Sequence, residues 1–400
     1  MPRRVASRGR STFHPLAYSD RVVRQAGKDA VSSGEDNITV KTVVRTWSRV
    51  FAVGVVCLAI LNTAPARALS HAAGRPLVQP PYTIDLSNTS LNNGWRLEMQ
   101  SIAAVFARTA PYNKLVKLRI VNAPNDVTSQ IASLNSMIAA RVNAIIIDAD
   151  SPTALNPVIA RAVRQGIVVI AIDSTVTSPD AYTIAVNLTN AAYTTALWLA
   201  KSMHGKGNVV IDQGIVGTQG EAQQEAGVRA ALGKFPGIKI IDEFSGQWAT
   251  APSEAGMARV LATYPKIDGA WSSGGEIGII EALQHAHHAL IPVAGFPFNK
   301  YLQQCVQLKR QGLQCGAASN PCYMSAQAIQ EAVSVLQGKT VARHLDLPYV
   351  FYANNGIAGD VAQTPIVQGK TTFTGIPDEF AMPFNPPGAQ LKLGDVIKGM

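Results

Sequence analysis

The chain has 400 residues, which is enough to bury two hydrophobic cores, so we expect two domains. Its formal charge of +9 is uneven, because residues 1–68 carry 11 Lys and Arg against 4 Asp and Glu, whereas the other 332 residues carry 24 against 22. The remainder is therefore nearly neutral and lacks the basic surface of a nucleic-acid-binding domain, so we expect no nucleic-acid partner.

Residues 41–68 have the pattern of an export signal. Basic residues precede an uncharged run at 50–61, and the Ala-Arg-Ala sequence at 66–68 forms a small-x-small cleavage site. The run is shorter than the ~20 apolar residues of a membrane-spanning helix, so we interpret 41–68 as a signal peptide for secretion to the periplasm. An uncleaved anchor is the alternative. Residues 1–40 lack periodicity, and we interpret them as untranslated or disordered, with translation starting near Val40.

The stretch from Tyr82 to Ala110 combines a buried strand, a polar loop and an amphipathic helix. In an open α/β sheet, ligands bind at the loops that follow the carboxyl ends of the strands. Here the loop offers the amides of Asn92 and Asn93 and leads into Trp95 and Arg96. An apolar ring beside a planar set of donors suits a small polyhydroxylated molecule. The alternative is a capping loop with Trp95 packed in the core.

Strand and helix patterns alternate from residue 82 to residue 337, which is typical of parallel sheets flanked by helices. The predicted strands are 82–86, 115–121, 144–147, 167–172, 184–186, 208–211, 238–244, 270–272, 292–296 and 315–318. The predicted helices after the first are 126–141, 156–165, 190–203, 221–233, 253–264, 277–286, 299–311 and 323–337. This is more strands than one sheet usually contains, so we expect two sheets side by side. After them we expect a few strands and an irregular tail.

Several motifs occur in the order typical of one family. They are TSLNNGW at 89–95, VVIAIDS at 168–174, GTQGEA at 217–222, AGF at 294–296 and QGK at 337–339. Over residues 82–339 the chain resembles periplasmic sugar-binding proteins of the ribose-binding type, the substrate receptors of ABC importers. The resemblance implies the type I periplasmic binding fold. This is an α/β fold of two Rossmann-like lobes with parallel sheets, joined by three hinge crossovers, with a ligand cleft between them.

The resemblance also implies the domain boundaries and the ligand-binding residues. We expect an N-terminal lobe of residues 82–187 plus 319–347 and a C-terminal lobe and tail of residues 188–318 plus 348–400. The candidate ligand-binding residues are Asn92, Asn93, Trp95, Arg96, Asp173, Ser174, Trp248, Gly274, Asn299, Ser319 and Asn320.

Two arginines and one aspartate of the family pattern are missing from this chain. Ser174 stands where the family has an arginine, and a second family arginine falls near Ala222. Pro297 replaces a family aspartate, whose role Asn299 could take. Because these groups are missing, the resemblance predicts the scaffold but not the identity of the sugar.

We expect a monomeric binding protein that delivers a small polar solute, a monosaccharide or derivative, to the permease of an ABC importer by hinge closure. Two alternatives are a LacI-type effector-binding regulator and a periplasmic ligand sensor for a chemoreceptor. The regulator needs a basic helix-turn-helix before the core, where this chain has an export signal instead.

We expect no enzyme, catalytic residue, cofactor or metal. The sequence shows no nucleophile–base pair, and His285, His287 and His288 are spaced so that they do not share one helix face. Cysteine usage leaves alternatives open, because Cys305 could pair with Cys315 in an oxidising periplasm, Cys322 could take part instead, or all three could be buried thiols.

Overall fold

The computed structural model of the protein describes residues 78–88, 91, 93–124, 126–357 and 361–400. The predicted signal peptide, residues 1–40 and the loop residue Asn92 lie outside this described part. Within it, no helix combines the length and the apolar character that crossing a membrane requires.

Strands and helices alternate along most of the chain. The strands are β1 (Tyr82–Asn88), β2 (Val116–Asn122), β3 (Ala144–Ile147), β4 (Val168–Ile172), β5 (Tyr182–Val186), β6 (Lys206–Gln213), β7 (Gly237–Ser245), β8 (Gly269–Ser272), β9 (Val293–Gly295), β10 (Cys315–Ala318), β11 (His344–Leu347), β12 (Phe351–Ala353) and β13 (Gln363–Pro365). The helices are α1 (Gly94–Arg108), α2 (Tyr112–Leu115), α3 (Val127–Ala139), α4 (Asn156–Arg164), α5 (Leu188–Ser202), α6 (Gln219–Leu232), α7 (Thr250–Thr263), α8 (Glu276–His285), α9 (Asn299–Gln307), α10 (Met324–Leu336) and α11 (Leu393–Ile397).

The first sheet has the order β11-β5-β4-β3-β1-β2, and all of its neighbouring strands are parallel. Leu86, Ile146 and Ile170 lie side by side in its register and are fully buried. Their face packs against α1 and α10, and the opposite face packs against α3 and α4. Burial on both faces explains why the central strands β3 and β4 are wholly apolar. This sheet and its helices are called the N-lobe below.

The second sheet has the order β13-β12-β10-β9-β8-β6-β7 and is parallel except between β10 and β12. Helix α5 packs across β8, β9 and β10. Trp198 of this helix and Trp271 of β8 are buried in the core, and the Trp271 indole N–H donates to Thr195 Oγ1 at 2.8 Å. This sheet and its helices are called the C-lobe.

The chain passes between the two lobes at three crossovers, which connect β5 to α5, β10 to α10, and β11 to β12. Ser319 joins two of them, because its hydroxyl accepts from the Val350 N–H at 2.8 Å and its own N–H donates to the Val350 carbonyl at 2.9 Å. The predicted fold class, two α/β lobes with parallel sheets, is confirmed.

The tail after β13 contacts both lobes. Its last helix, α11, packs against α1 of the N-lobe, where Ser101 Oγ donates to the Val396 carbonyl at 2.5 Å. The resemblance implied that residues 348–400 belong to the C-terminal lobe and tail. In the structure the end of this tail lies on the N-lobe, where α11 buries Val396 completely beside α1.

One disulfide links α9 to β10 in the C-lobe, between Cys305 and Cys315, with an S–S distance of 2.08 Å. Cys322 is a buried free thiol. Of the arrangements that the sequence left open, the structure therefore adopts the Cys305–Cys315 pairing.

Candidate functional site

The candidate site begins at the carboxyl ends of three neighbouring N-lobe strands. Asn88 ends β1, Asp148 directly follows β3, and Asp173 directly follows β4. Because these strands are adjacent and parallel, their final residues meet at one edge of the sheet. Three acceptor-bearing side chains are therefore gathered at the sheet edge that the sequence predicted for ligand binding.

Helix α1 supplies the cation of this cluster. Its N-cap is Asn93, whose side-chain oxygen accepts from the Arg96 N–H at 3.0 Å and so fixes the first turn. The Arg96 guanidinium is buried and lies 2.5 Å from an Asp148 carboxylate oxygen, with Asn88 Oδ1 at 3.3 Å. The charge of Arg96 is thus already matched by protein groups.

Asp173, Asn320 and Trp95 form a second connected set. The Asn320 amide donates to Asp173 Oδ1 at 2.7 Å, and the Trp95 indole N–H donates to the Asn320 carbonyl at 2.7 Å. Since Asn320 lies in the β10–α10 crossover, the hinge holds two of the predicted ligand-binding residues, Asp173 and Trp95. Asp173 has a φ of 53°, a conformation that aspartate tolerates better than most residues.

The N-lobe cluster carries more acid than base. Burial raises the pKa of Asp148 to about 7, against the lowering effect of Arg96, and Asp173 raises it further. Burial also raises the pKa of Asp173, although the hydrogen bond from Asn320 and the charge of Arg96 lower it. A second anion is unfavourable beside these carboxyl groups, whereas hydroxyl donors from a neutral molecule would satisfy them.

Trp248 is the aromatic side chain that was predicted to bind ligand from the C-lobe side. It has a φ of 58°, which is rare for a bulky residue and marks a position held by its surroundings. Its indole N–H donates to Ser273 Oγ at 2.9 Å. The ring lies so close to Gly214 that a Cβ there would fall 1.9 Å from Trp248 Nε1, so Gly214 has to be a glycine.

Three buried carboxyl groups support the C-lobe loops around Trp248. Glu221 accepts from the Gly214 N–H at 2.6 Å, Asp212 accepts from the Ser272 hydroxyl at 2.8 Å, and Glu276 accepts from the Phe296 N–H at 2.8 Å. Burial raises the pKa of each of them, that of Asp212 to about 7. Their contacts are with the protein itself, so they hold the strand-end loops in place.

The structure brings most of the predicted site residues to these strand ends. Asn93, Trp95, Arg96, Asp173 and Asn320 are connected in the N-lobe through the contacts described above. Trp248 lies at the C-lobe loops, and Gly274 is beside it, since a Cβ on Gly274 would lie 3.6 Å from the Trp248 ring.

Other predicted residues have structural partners. Ser174 is buried, and its carbonyl accepts from the Ala149 N–H at 3.2 Å. Ser319 joins two crossovers. Asn299 is fully buried, and its amide contacts the backbone of Phe373 and the hydroxyl of Thr372. The Asn299 side chain is thus engaged by the tail, and its role in ligand binding stays a prediction.

Two residues at the site were not among the candidate ligand-binding residues. Asp148 follows a buried strand, which is a usable signal, but its pairing with Arg96 depends on β1 and β3 being neighbours. Glu379 lies in the tail, where the pattern predicted only irregular structure, and it contacts the first residue of α1. No sequence signal pointed to Glu379.

The two lobes also touch beside this site. Thr175, two residues after Asp173, donates from its hydroxyl to Gln219 Oε1 of α6 at 3.3 Å. A solvent-open depression of about 410 Å³ adjoins this contact and is lined by polar residues that include Asn187, Asn190 and Gln223. It lies near the β5–α5 crossover and is separate from the cluster around Trp95.

The histidines 285, 287 and 288 were expected not to bind metal. In the part of the chain that the structure describes, no group of three or more His, Cys, Asp or Glu side chains could hold a metal ion. His285 instead lies 2.8 Å from Glu254 on the surface.

Comparison with known proteins gives consistent results. A family model described as a periplasmic binding protein domain matches residues 84–340. The xylitol-binding protein of Mycolicibacterium smegmatis is 29% identical over 190 residues, which are 46% of this chain and 54% of that protein. The chain thus spans about half the length of that relative.

Two further matches cover more of the fold. The ribose import binding protein RbsB of Bacillus subtilis is 22% identical over 271 residues, which are 67% of this chain and 86% of that protein. The crystal structure of an ABC transporter solute binding protein from Thermobispora bispora aligns with a TM-score of 0.63 and 28% identity, covering 67% of this chain and 84% of that one.

Proposed function

Since the chain belongs to the periplasmic binding protein family, we propose that it is the substrate-binding protein of an ABC importer for an uncharged, polyhydroxylated solute. The predicted resemblance is confirmed, and its relatives are sugar-binding proteins rather than enzymes. On this proposal the ligand is a monosaccharide or a polyol, which binds between the lobes by hinge closure.

The charge pattern of the N-lobe cluster is the observation that supports this proposal most. Arg96 is already paired with Asp148, and the acceptor Asp173 is held by Asn320. Hydroxyl groups would donate to such acceptors, and leaving them unpaired on burial would cost roughly 1–3 kcal/mol each. Trp95 and Trp248 would pack against the C–H faces of the ring or chain.

A thermal-shift screen of the purified protein tests the proposal. The neutral set is D-ribose, D-allose, D-fructose, L-arabinose and xylitol, and the matched anions are D-ribose 5-phosphate and D-gluconate. A ligand at 100 times its Kd stabilises the folded state by about 2.7 kcal/mol, which raises the Tm measurably. We expect stabilisation by at least one neutral compound and by neither anion. Stabilisation by the anions alone would contradict the proposal.

The place of action is part of the same proposal. We propose that residues 41–68 direct the chain to the periplasm and are removed, and that the mature monomer docks on a membrane permease. Because cleavage after Ala68 would leave a chain starting at Leu69, N-terminal sequencing of the protein from a periplasmic fraction tests this step. A full-length chain that stays in the cytosol would contradict it.

A further inference from the structure

The tail is tied to the C-lobe over residues 372–382. Asn299, at the start of α9, donates from its side chain to the Phe373 carbonyl at 2.9 Å and from its backbone to the Phe380 carbonyl at 2.8 Å. The Lys300 N–H donates to the Asp378 carbonyl at 2.9 Å, and the Met382 N–H donates to the Pro297 carbonyl at 3.2 Å. This segment is therefore an integral part of the C-lobe surface.

The same segment is also tied to the N-lobe. The Ala381 N–H donates to a carboxylate oxygen of Glu98 in α1 at 2.6 Å. Ten or more residues later, α11 packs against α1. The tail thus makes a fourth connection between the lobes, in addition to the three crossovers, and it lies beyond the part of the chain that the family model matches.

Glu379 contacts both lobes with one carboxylate. Its Oε2 accepts from the backbone N–H of Gly94 at 2.9 Å, and its Oε1 accepts from the Thr250 hydroxyl at 2.8 Å. Gly94 is the first residue of α1, and Thr250 is the first residue of α7. A carboxylate at a helix N-terminus is also favoured by the helix dipole.

Glu379 packs directly against Gly94 and leaves no room for a side chain there. A Cβ on Gly94 would lie 2.4 Å from the Glu379 Cβ and 2.7 Å from its carbonyl oxygen. A side chain at this position is therefore incompatible with the tail in its present place. Alanine has a better intrinsic helix propensity than glycine, so the requirement for glycine does not come from α1 itself.

The two contacts of Glu379 flank the proposed stacking residues. Gly94 lies between Asn93 and Trp95, and Thr250 is two residues after Trp248. Gly94 and Trp95 lie on one short segment, and Trp248 and Thr250 lie on another. A movement that separates Gly94 from Thr250 would therefore also separate the two tryptophans. Opening of the lobes at these segments has to break at least one hydrogen bond of Glu379.

We propose that residues 372–382 form a clasp between the lobes and that Glu379 is its positioning residue, holding α1 and α7 together in the closed state. The clasp acts on the lobes whether or not a ligand is bound. It therefore goes beyond the proposed function, and the two can fail separately.

The distance between two spin labels tests the clasp without any ligand. Labels at Ser136→Cys on α3 and Ala230→Cys on α6 lie on exposed positions of different lobes, and Cys322 is buried. In the parent chain we expect one short-distance population. Glu379→Ala removes both hydrogen bonds, so we expect the population of longer distances to rise about 10-fold. Thr250→Val, which removes the C-lobe partner alone, should shift the distribution in the same direction.

Three further variants distinguish a clasp from general destabilisation. Glu379→Gln keeps an acceptor for Gly94 and a donor for Thr250, so it should retain the parent distribution. Asp378→Asn is the matched control, because Asp378 pairs with Lys300 of the C-lobe at 3.2 Å. Gly94→Ala should open the lobes even though it favours the helix. Unchanged distances in Glu379→Ala, or the same opening in Asp378→Asn, would overturn the proposal.

Discussion

Arg96 and Asp173 show how single residues set the chemistry of the proposed site. The guanidinium is paired within the protein, so the site offers no free positive charge from Arg96 to an anionic ligand. The carboxylate of Asp173 is held by Asn320 beside the Trp95 ring. On the proposed function, this combination of a placed acceptor and an apolar face favours a ligand with hydroxyl groups on a carbon skeleton.

Asp212 gives a prediction of how stability depends on pH. Burial raises its pKa to about 7 from the ordinary 3.8, so the folded state keeps this proton longer than the unfolded state does. Protonated Asp212 therefore stabilises the folded state, and this contribution to the free energy of unfolding is complete below pH 4 and is lost as the pH rises towards 7. With about 1.4 kcal/mol for each pH unit, the loss is on the order of 4 kcal/mol.

Denaturant unfolding of the parent chain and of Asp212→Asn between pH 4 and pH 7 measures this contribution. The variant cannot ionise, so its free energy of unfolding should fall less over this range than that of the parent. Asp242→Asn is a matched control, because Asp242 is partly exposed and pairs with the exposed Arg259. Equal pH dependence in the parent and in Asp212→Asn would contradict the burial of a protonated Asp212.

The elements of the core could be predicted from the sequence because their patterns are local. Strand β3 is wholly apolar and bounded by polar residues, and the prediction of 144–147 matches it in full. Helix α3, predicted over 126–141, spans Val127–Ala139, and its N-cap Asp126 accepts from two backbone N–H groups. Where the ends differ, as in α9, the helix stops at Gln307 and a short 3₁₀ turn covers Lys309–Gln311.

The site could be predicted only in part, because its contacts join distant segments. Trp95, Asp173 and Trp248 follow strands that the sequence pattern located. The side-chain oxygen of Asn299 accepts hydrogen bonds from Thr372 and Phe373 of the tail. The tail has no periodicity and is fixed only by its partners in both lobes. Glu379 was missed for the same reason.

Helix α1 gives a prediction at the scale of one element. Asn93 caps it, so Asn93→Ala should lower the free energy of unfolding by about 1 kcal/mol. Asn93→Ser keeps a capping oxygen and should recover most of this loss. Chemical denaturation of the three proteins measures the difference. Equal stability of Asn93→Ala and the parent would show that the cap contributes nothing.

At the scale of the molecule, two lobes are connected by three crossovers and by the tail. The crossovers lie towards one edge of each sheet, next to β5 and β11 in the N-lobe and next to β10 and β12 in the C-lobe. The clasp instead joins α1, which follows β1, to α7, which follows the opposite edge strand β7. On the clasp proposal, closure of the lobes is governed by contacts at two separate places.

Isothermal titration calorimetry on the parent, Trp95→Ala and Trp248→Ala tests binding between the lobes most directly. The titrant is the neutral sugar or polyol that gives the largest thermal shift. Because each indole belongs to a different lobe, we expect one site per parent chain and a Kd at least about 10-fold higher in each variant, with cooperative unfolding retained. An unchanged Kd in both variants would show that the solute does not lie between these two rings.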